Sequence, residues 1–207
     1  MKLHYSRGAC SLAAHIVARE GGLDFDLTKV DLAAYETEAG DDYLAINPRG
    51  YVPAIKLDTE VAAVVQYLGE QAPQADLAPP PGSKERFQVN QWVAFVATEM
   101  HKTFSPWLFQ AKGGDSTKQQ ASRDKLGRRF AKLDRHLATR AYLTGDTFTV
   151  ADAYAFTIVN WSNFVEVDLA PYLNLSAYMA RVAAHPKVRE ALVAESLVAA
   201  ATEGAAV

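Results

Sequence analysis

The sequence predicts a small α/β domain followed by an all-helical domain, an α/β + all-α architecture. Three observations support this prediction. Strand-like and helix-like segments alternate over the first 71 residues. The run Pro79-Pro80-Pro81-Gly82, which can continue neither a helix nor a strand, then interrupts the chain. Beyond it, apolar residues recur at helical spacing. We therefore expect a first domain over residues 1–74, a linker over 75–83 and a second domain over 84–207.

In the first domain, short alternating segments predict strands and longer amphipathic runs predict helices. The predicted strands cover residues 1–5, 25–30 and 52–57. The predicted helices cover residues 11–20, 42–46 and 61–71. The polar stretch over residues 35–42 predicts a loop.

In the second domain, the spacing predicts helices over residues 85–109, 117–139, 150–167, 172–184 and 187–198. Pro106 should kink the first of these helices or end its regular part. The helix that starts at residue 150 is apolar nearly all round, as is typical of a helix buried inside a bundle. Thr149 and Asp152 have the spacing of a capping box at its start, with Phe148 as the staple residue.

The composition is that of an ordinary soluble globular protein. The chain has 207 residues, of which 49% are hydrophobic and 22% charged, and its net charge is −3. This charge suggests no nucleic-acid or anionic-membrane surface, and no apolar run approaches the roughly 20 residues that span a bilayer. The chain starts without a signal-peptide pattern, and its single cysteine allows no intrachain disulfide. We expect a cytoplasmic protein without a metal centre.

The single cysteine, Cys10, lies where the first strand turns into the first helix. The N–H groups and the dipole of a helix start favour an anion, so this position would stabilise a thiolate and lower the pKa of the thiol. A lone cysteine is also often a small buried apolar residue. Position alone leaves these two interpretations about equal.

Five motifs then occur in order. They are Cys-Ser at residues 10–11, Asn-Pro-x-Gly-x-Val-Pro-Ala at 47–54, Thr-Glu at 59–60 before Gln-Tyr-Leu at 66–68, Glu-Met-His-Lys-Thr-Phe-Ser-Pro at 99–106, and Leu-Thr-Gly-Asp-Thr-Phe-Thr-Val-Ala-Asp at 143–152. Together they resemble a glutathione S-transferase of the bacterial beta class. The resemblance implies a thioredoxin-like first domain that binds glutathione and an all-helical second domain that holds an electrophile.

The resemblance also implies the roles of individual residues. Cys10 would contact the glutathione sulfur and form a mixed disulfide with it, and Ser11 would help to hold the sulfur or only cap the helix. Pro53 would be a cis proline, although an ordinary trans proline is the commoner form. His101 would face the sulfur from the helical domain, although such a residue is often only packed. The other implied glutathione contacts are Tyr51, Val52, Glu60, Val61 and Lys102.

Glu60 would bind the ammonium group of the γ-glutamyl end, or it only complements the dipole of its helix. A pocket for an apolar electrophile would be lined by Tyr5, Phe104 and Trp107, with Phe109 as a further candidate. The chain departs from the family pattern at three positions: Arg7 replaces a proline and adds a cation near the sulfur, Val61 replaces a small or hydroxyl residue, and Ala94 replaces an asparagine.

The implied activity is conjugation of glutathione to small hydrophobic electrophiles, with thiol–disulfide exchange through Cys10 as a further possibility. One alternative is a glutathione-dependent reductase or lyase on the same fold, in which Cys10 is a real nucleophile. Another is a binding or stress-regulatory protein that has kept the fold and lost the chemistry. The family pattern also implies a homodimer, in which the helical domain of one chain meets the thioredoxin-like domain of the other.

The step from Asp58 to Thr59 is unusual. Family members have a tight turn and an edge strand between these two positions, and here no residues are available for them. Either the strand is lost, or residues are missing from the chain at this point. We expect a break between Asp58 and Thr59, rather than a normal spacing of about 3.8 Å between their Cα atoms.

Overall fold

The computed structural model describes residues 1–55, 60–108, 115–165 and 167–199. The step between Asp58 and Thr59 and the side chain of Phe109 lie outside these residues, so the expectations about them stay predictions. The first part of the chain forms strand β1 (Lys2–Tyr5), helix α1 (Ser11–Glu20), strands β2 (Asp26–Asp31) and β3 (Glu36–Thr37), and helices α2 (Tyr43–Ile46) and α3 (Val61–Glu70). Helix α1 has the predicted bounds.

The sheet has the order β1-β2-β3 within the described residues. Strand β1 pairs in parallel with β2, with Leu3 opposite Leu27, and β2 pairs antiparallel with β3. The prediction of a loop over residues 35–42 missed β3. The predicted strand over residues 52–57 is wrong for its described part, which makes only one antiparallel bridge, between His4 and Ala54. A proline in this segment lacks the N–H that a regular ladder needs, which explains the limited pairing.

The second part of the chain is helical throughout its described elements. Its helices are α4 (Lys84–Phe95), α5 (Ser105–Leu108), α6 (Ser116–Leu137), α7 (Val150–Asn160), α8 (Leu173–Ala183) and α9 (Pro186–Ala194). None of the helices within the described ranges is long and apolar enough to cross a membrane.

The predicted helix over residues 85–109 is interrupted well before Pro106. Helix α4 ends at Phe95, and a π-helical turn (Val96–Met100) and a 3₁₀ turn (His101–Phe104) precede α5. The N–H of His101 bonds to the carbonyl of Val96, five residues back, instead of four. The Thr98 hydroxyl competes for the carbonyl of Ala94 at 2.9 Å, which loosens the regular helix at this point. The extra residue rotates His101 relative to α4.

One hydrophobic core runs through both halves of the molecule. Helix α1 packs against α3 from its own half and against α7 and α9 from the helical half. A Cβ atom at Gly69 would lie 2.7 Å from the side chain of Val150, so α3 and α7 approach closely where α3 has a glycine. The predicted capping box at Thr149 and Asp152 is confirmed, and such a cap contributes about 1 kcal/mol.

Candidate active site

The loop between β1 and α1 carries Cys10 and is held by its own backbone and by Ser11. Gly8 has a φ of +66°, a left-handed conformation that a residue with a Cβ atom rarely adopts. The buried Ser11 hydroxyl donates to the carbonyl of Ser6 and accepts from its N–H, both at 3.2 Å. These two bonds give Ser11 a structural role in the loop.

The thiol of Cys10 donates a hydrogen bond to the carbonyl of Val52, with the sulfur 3.1 Å from the oxygen. Burial raises the pKa of Cys10 to about 12, although the residue as a whole is only partly buried. The N–H groups of the helix start and the charge of Lys102 act in the opposite direction, as the dipole argument predicts, but loss of water around the sulfur outweighs them. The prediction of a lowered pKa is therefore wrong for the unliganded protein. Cys10 is a neutral thiol at physiological pH.

The peptide bond between Val52 and Pro53 is cis, as the resemblance implies. The carbonyl of Tyr51 accepts hydrogen bonds from the Tyr43 hydroxyl at 2.6 Å and from the Asn47 amide at 2.8 Å. The N–H of Val52 has no partner among the described residues, whereas its carbonyl holds the Cys10 thiol. The backbone of Val52 is therefore well placed to pair with an extended ligand, and the side chain of Tyr51 is 60% exposed beside it.

Glu60 lies at the N-terminus of α3, and Val61 is the first residue of the helix. The guanidinium of Arg49 lies 2.8 Å from a carboxylate oxygen of Glu60, and both side chains are largely exposed. The buried Val61 offers only an apolar side chain at the helix start. A ligand ammonium that approaches Glu60 would meet a carboxylate already shared with Arg49.

His101 and Lys102 contribute from the helical side. The Nδ1 atom of His101 lies 2.7 Å from the hydroxyl oxygen of Tyr154. Burial, reinforced by the charge of Lys102, lowers the pKa of His101 to about 4. His101 is therefore neutral at physiological pH, and the exposed Lys102 is the cation that acts on Cys10.

The aromatic residues expected to line a pocket have different environments. Phe104 is fully buried and packs against Trp107 and Trp161, with ring centroids 6.1 and 5.6 Å apart. Trp107 is half-buried, and the guanidinium of Arg123 lies over its ring at 5.4 Å from the centroid. Tyr5 is half-buried at the end of β1. Among these residues, Tyr5 and Trp107 are partly exposed, whereas Phe104 is buried and packs against Trp107.

Arg7 does not act as the cation that the sequence suggested. Its guanidinium donates to the carbonyl of Ser196 at 2.6 Å, and it is not among the charges that act on the Cys10 thiol. Next to it, the N–H of Gly8 donates to a carboxylate oxygen of Glu195 at 2.9 Å. The Cys10 loop is therefore attached to the segment that follows α9.

Comparison with known proteins identifies the family. A family model described as the N-terminal domain of glutathione S-transferases matches residues 8–71, and one described as their C-terminal domain matches residues 95–186. The chain belongs to the glutathione S-transferase family. Glutathione S-transferase GstA of Escherichia coli O157:H7 is 41% identical over 202 residues, which cover 95% of this chain and 100% of that protein.

Solved structures support the same assignment and the bacterial beta-class resemblance. The beta-class glutathione S-transferase of Sphingomonas chungbukensis has a TM-score of 0.90 at 41% identity, covering 96% of this chain and 100% of its own. A sphingomonad glutathione S-transferase in complex with glutathione has a TM-score of 0.89 at 41% identity, with the same coverage of both chains. The thioredoxin-like and all-helical architecture expected from the sequence is that of the glutathione S-transferases.

Several residues around the site of Cys10, Glu60 and His101 in this glutathione S-transferase, here called the cleft, were not predicted from the sequence. Tyr154 holds His101, and Trp161 donates from its indole nitrogen to the Gly8 carbonyl at 2.8 Å. Arg49 pairs with Glu60, and Glu195 holds the N–H of Gly8. Tyr154 lies in a helix that is apolar on nearly all sides, so its hydroxyl is expected to be buried. A buried tyrosine usually has a hydrogen-bond partner, and this was the one sequence signal that could have pointed to its bond with another residue.

Proposed function

We propose that this glutathione S-transferase conjugates glutathione to small hydrophobic electrophiles, with the glutathione sulfur as the nucleophile. The observation that carries this proposal is the environment of Cys10, whose thiol donates to the Val52 carbonyl at 3.1 Å and is shielded from water. A thiol with a pKa of about 12 is almost entirely protonated near neutral pH, so it is a poor nucleophile but a good hydrogen-bond donor. The reactive thiolate is then the one that glutathione brings.

Glutathione would lie along the backbone of Val52 and Pro53, where the N–H of Val52 has no partner among the described residues. Its γ-glutamyl ammonium would approach Glu60, close to Tyr51 and Val61. Lys102, which already acts on the Cys10 thiol, would attract the negative charge of the thiolate. The sulfur would lie beside Cys10, His101 and the loop that Ser11 supports.

The chemistry is a nucleophilic attack by sulfur on carbon. The glutathione thiolate forms a carbon–sulfur bond to an electrophilic carbon, and that carbon expels a leaving group with its electron pair or passes the electrons to an atom that takes up a proton. Neutral donors would stabilise the thiolate without binding it as tightly as a cation would: His101 directly, and Cys10 once its S–H turns from the Val52 carbonyl to the sulfur. The partly exposed side chains of Tyr5 and Trp107 would offer apolar surface for the electrophile.

The alternative of a reductase or lyase requires Cys10 itself to attack. The raised pKa of Cys10 argues against this role in the unliganded protein. Exchange with oxidised glutathione should therefore be slow near pH 7 and should accelerate about tenfold for each pH unit toward the thiol pKa, because only the thiolate attacks.

Calorimetry with glutathione and conjugation kinetics with a chlorodinitrobenzene, on wild type and on Cys10→Ala, test this proposal. We expect both proteins to bind glutathione, and Cys10→Ala to keep measurable conjugation, reduced about tenfold or more by the loss of one donor. Cys10→Ser, which retains a hydroxyl donor, should fall between them. Wild type that fails to bind glutathione would support a non-catalytic protein, and activity that vanishes in both Cys10→Ala and Cys10→Ser would support the cysteine nucleophile.

We further propose that residues 1–74 carry the glutathione site and that residues 75–83 connect it to the electrophile site in residues 84–207. We also propose that the protein works in the cytoplasm as a homodimer. A symmetric pair is the commonest closed assembly. Phe87 on α4 is 69% exposed, so a contact through the helical half can be tested there without disturbing the core.

Light scattering on Phe87→Ser tests the dimer. We expect wild type at twice the 22.6 kDa chain mass and the variant shifted toward the monomer. Leu173→Ser, at a site 76% exposed on α8, is the comparison variant, and it shows whether loss of any exposed apolar side chain in the helical half has the same effect. A monomeric wild type would refute the dimer.

A further inference from the structure

Tyr154 is buried in the helical half and contacts the histidine of the cleft. It is 2% exposed, and its hydroxyl oxygen lies 2.7 Å from Nδ1 of His101. The two rings meet edge to face, with centroids 5.9 Å apart and an interplanar angle of 86°. On its other side, His101 meets Trp161 edge to face at 5.0 Å. The orientation of the imidazole is therefore determined by two neighbours.

The direction of the hydrogen bond decides which nitrogen of His101 carries the proton. The Tyr154 hydroxyl has no other hydrogen-bond partner among the described residues. If His101 donated through Nδ1, the Tyr154 hydroxyl proton would be buried without an acceptor, at a cost of about 1–3 kcal/mol. If Tyr154 donates, both groups are satisfied. The imidazole then accepts at Nδ1 and carries its proton on Nε2.

The Nε2 atom of His101 is available to a ligand. It has no hydrogen-bond partner among the described residues. Among these residues, the only side-chain nitrogen or oxygen that is fully buried and has no partner is the hydroxyl oxygen of Ser162, so Nε2 of His101 is not fully buried. It follows that Nε2 retains contact with solvent. The same aromatic group links His101 to the Cys10 loop, because Trp161 donates to the carbonyl of Gly8 at 2.8 Å.

We propose that Tyr154 is a positioning residue, whose hydroxyl holds His101 as the Nε2–H tautomer and thereby provides a neutral N–H donor for the sulfur of glutathione. This inference rests on the proposed function. Two electrostatic observations support it. Burial raises the pKa of Tyr154, with a further contribution from Cys10, so the hydroxyl keeps its proton and the two groups lie within electrostatic range. The lowered pKa of His101 keeps the imidazole neutral, so only its tautomer decides whether it can donate.

Tyr154→Phe removes only the hydroxyl and tests the proposal directly. Without this bond, Nδ1 competes for the proton, and fewer molecules offer an N–H at Nε2. We expect kcat/KM for conjugation to fall about tenfold at neutral pH and the apparent pKa of bound glutathione, followed by thiolate absorbance, to rise by about one unit. In a His101→Ala background, Tyr154→Phe should change kcat/KM less than about twofold, because the group it acts through is gone.

Tyr178→Phe is the matched control. Tyr178 is also fully buried, and its hydroxyl bonds to Asp152 at 3.1 Å rather than to a residue of the cleft. We expect it to lower the unfolding temperature while the pH profile of kcat/KM stays that of wild type. If Tyr154→Phe behaves in the same way, its hydroxyl only stabilises the fold, and the proposal is overturned.

Nitrogen-15 chemical shifts of the His101 ring in the wild-type protein give a test that needs neither a variant nor activity. The proposal requires the Nε2–H tautomer, and an Nδ1–H tautomer would overturn it. Calorimetry with glutathione tests the proposed function separately from the role of Tyr154. A protein with the expected tautomer that does not bind glutathione would refute the proposed function, and with it the role at the sulfur, while leaving the role of Tyr154 toward His101 intact.

Discussion

Two buried carboxylates, Asp152 and Glu195, use similar chemistry for different purposes. Asp152 accepts hydrogen bonds from the N–H and hydroxyl of Thr149, the N–H of Leu143 and the hydroxyl of Tyr178, at 2.9–3.1 Å. Glu195 accepts from Gly8 and lies 2.9 Å from Nδ1 of His15, so its partners are more than 170 residues away in the chain. Asp152 organises one helix start, whereas Glu195 connects the Cys10 loop to the end of α9.

The comparison shows how burial is compensated in each case. Burial raises the pKa of Asp152 to about 6, although four hydrogen bonds act in the opposite direction. The ionised carboxylate therefore depends on all of these local donors. Glu195 belongs to a chain of groups that reaches the surface. The Nε–H of Arg19 donates to Nε2 of His15 at 2.8 Å, which leaves the His15 proton on Nδ1 to donate to Glu195.

The largest expected effect is that of Asp152→Ala. The substitution leaves the N–H groups of Leu143 and Thr149 and the hydroxyl of Thr149 buried without an acceptor. At about 1–3 kcal/mol for each unsatisfied group, the free energy of unfolding should fall by about 4 kcal/mol or more. Urea unfolding followed by circular dichroism measures this change. The exposed Asp146 is the control, since Asp146→Ala should cost less than about 0.5 kcal/mol. A loss below about 1 kcal/mol for Asp152→Ala would remove the difference between the two carboxylates.

Glu195→Gln should have a smaller effect on stability and a distinct effect on the site. The amide replaces one of two acceptor oxygens by a donor, so either Gly8 or His15 loses its partner. We expect about 2–3 kcal/mol of destabilisation and faster hydrogen exchange at the Gly8 amide. Glu190→Gln, an exposed neighbour with only surface ion pairs, should cost less than about 1 kcal/mol. Unchanged exchange at Gly8 in Glu195→Ala, which leaves neither acceptor oxygen, would contradict the link to the Cys10 loop.

Acidification tests His101, which bonds to Tyr154 on α7. Asp152 caps this helix. The pKa of His101 is lowered to about 4 from an ordinary value of 6.5, so between these values the unfolded chain binds a proton that the folded protein does not. Stability therefore falls as pH falls through this window. Between pH 7 and pH 5, wild type should lose about 2 kcal/mol relative to His101→Asn. Thr98→Ala, which removes no titratable group from the same segment, should show no such pH-dependent difference.

Arg19→Ala should have the smallest effect of the four. Its guanidinium donates to His15 and to Glu190, but the side chain is 26% exposed, so water can replace it. We expect a loss of about 1 kcal/mol or less, measured by urea unfolding. Arg189→Ala, an exposed arginine on α9, controls for the loss of charge. A loss as large as that of Glu195→Gln would mean that the whole chain of groups acts as one unit.

Structural features that depend only on residues close together in the sequence could be predicted. Helix α1 and the capping box depend on apolar spacing and on side chains within one turn, and both were confirmed. The cis peptide bond before Pro53 was predicted only through the resemblance, because a single X-Pro step looks the same in either isomer. The π-helical turn before His101 was missed, because it replaces one hydrogen-bond pattern by another without a change in apolar spacing.

The sequence by itself determined the family, the order of the elements and the identity of Cys10, His101 and Glu60 as candidate residues, since each rests on local pattern or motif. Tertiary structure alone decided the protonation state of Cys10. The helix start favours a thiolate, as the sequence predicts, but dense packing around the sulfur removes water and prevails. It also decided that Tyr154 meets His101 and that Glu195 meets Gly8, because residues 53 and 187 positions apart become neighbours only when the helices pack.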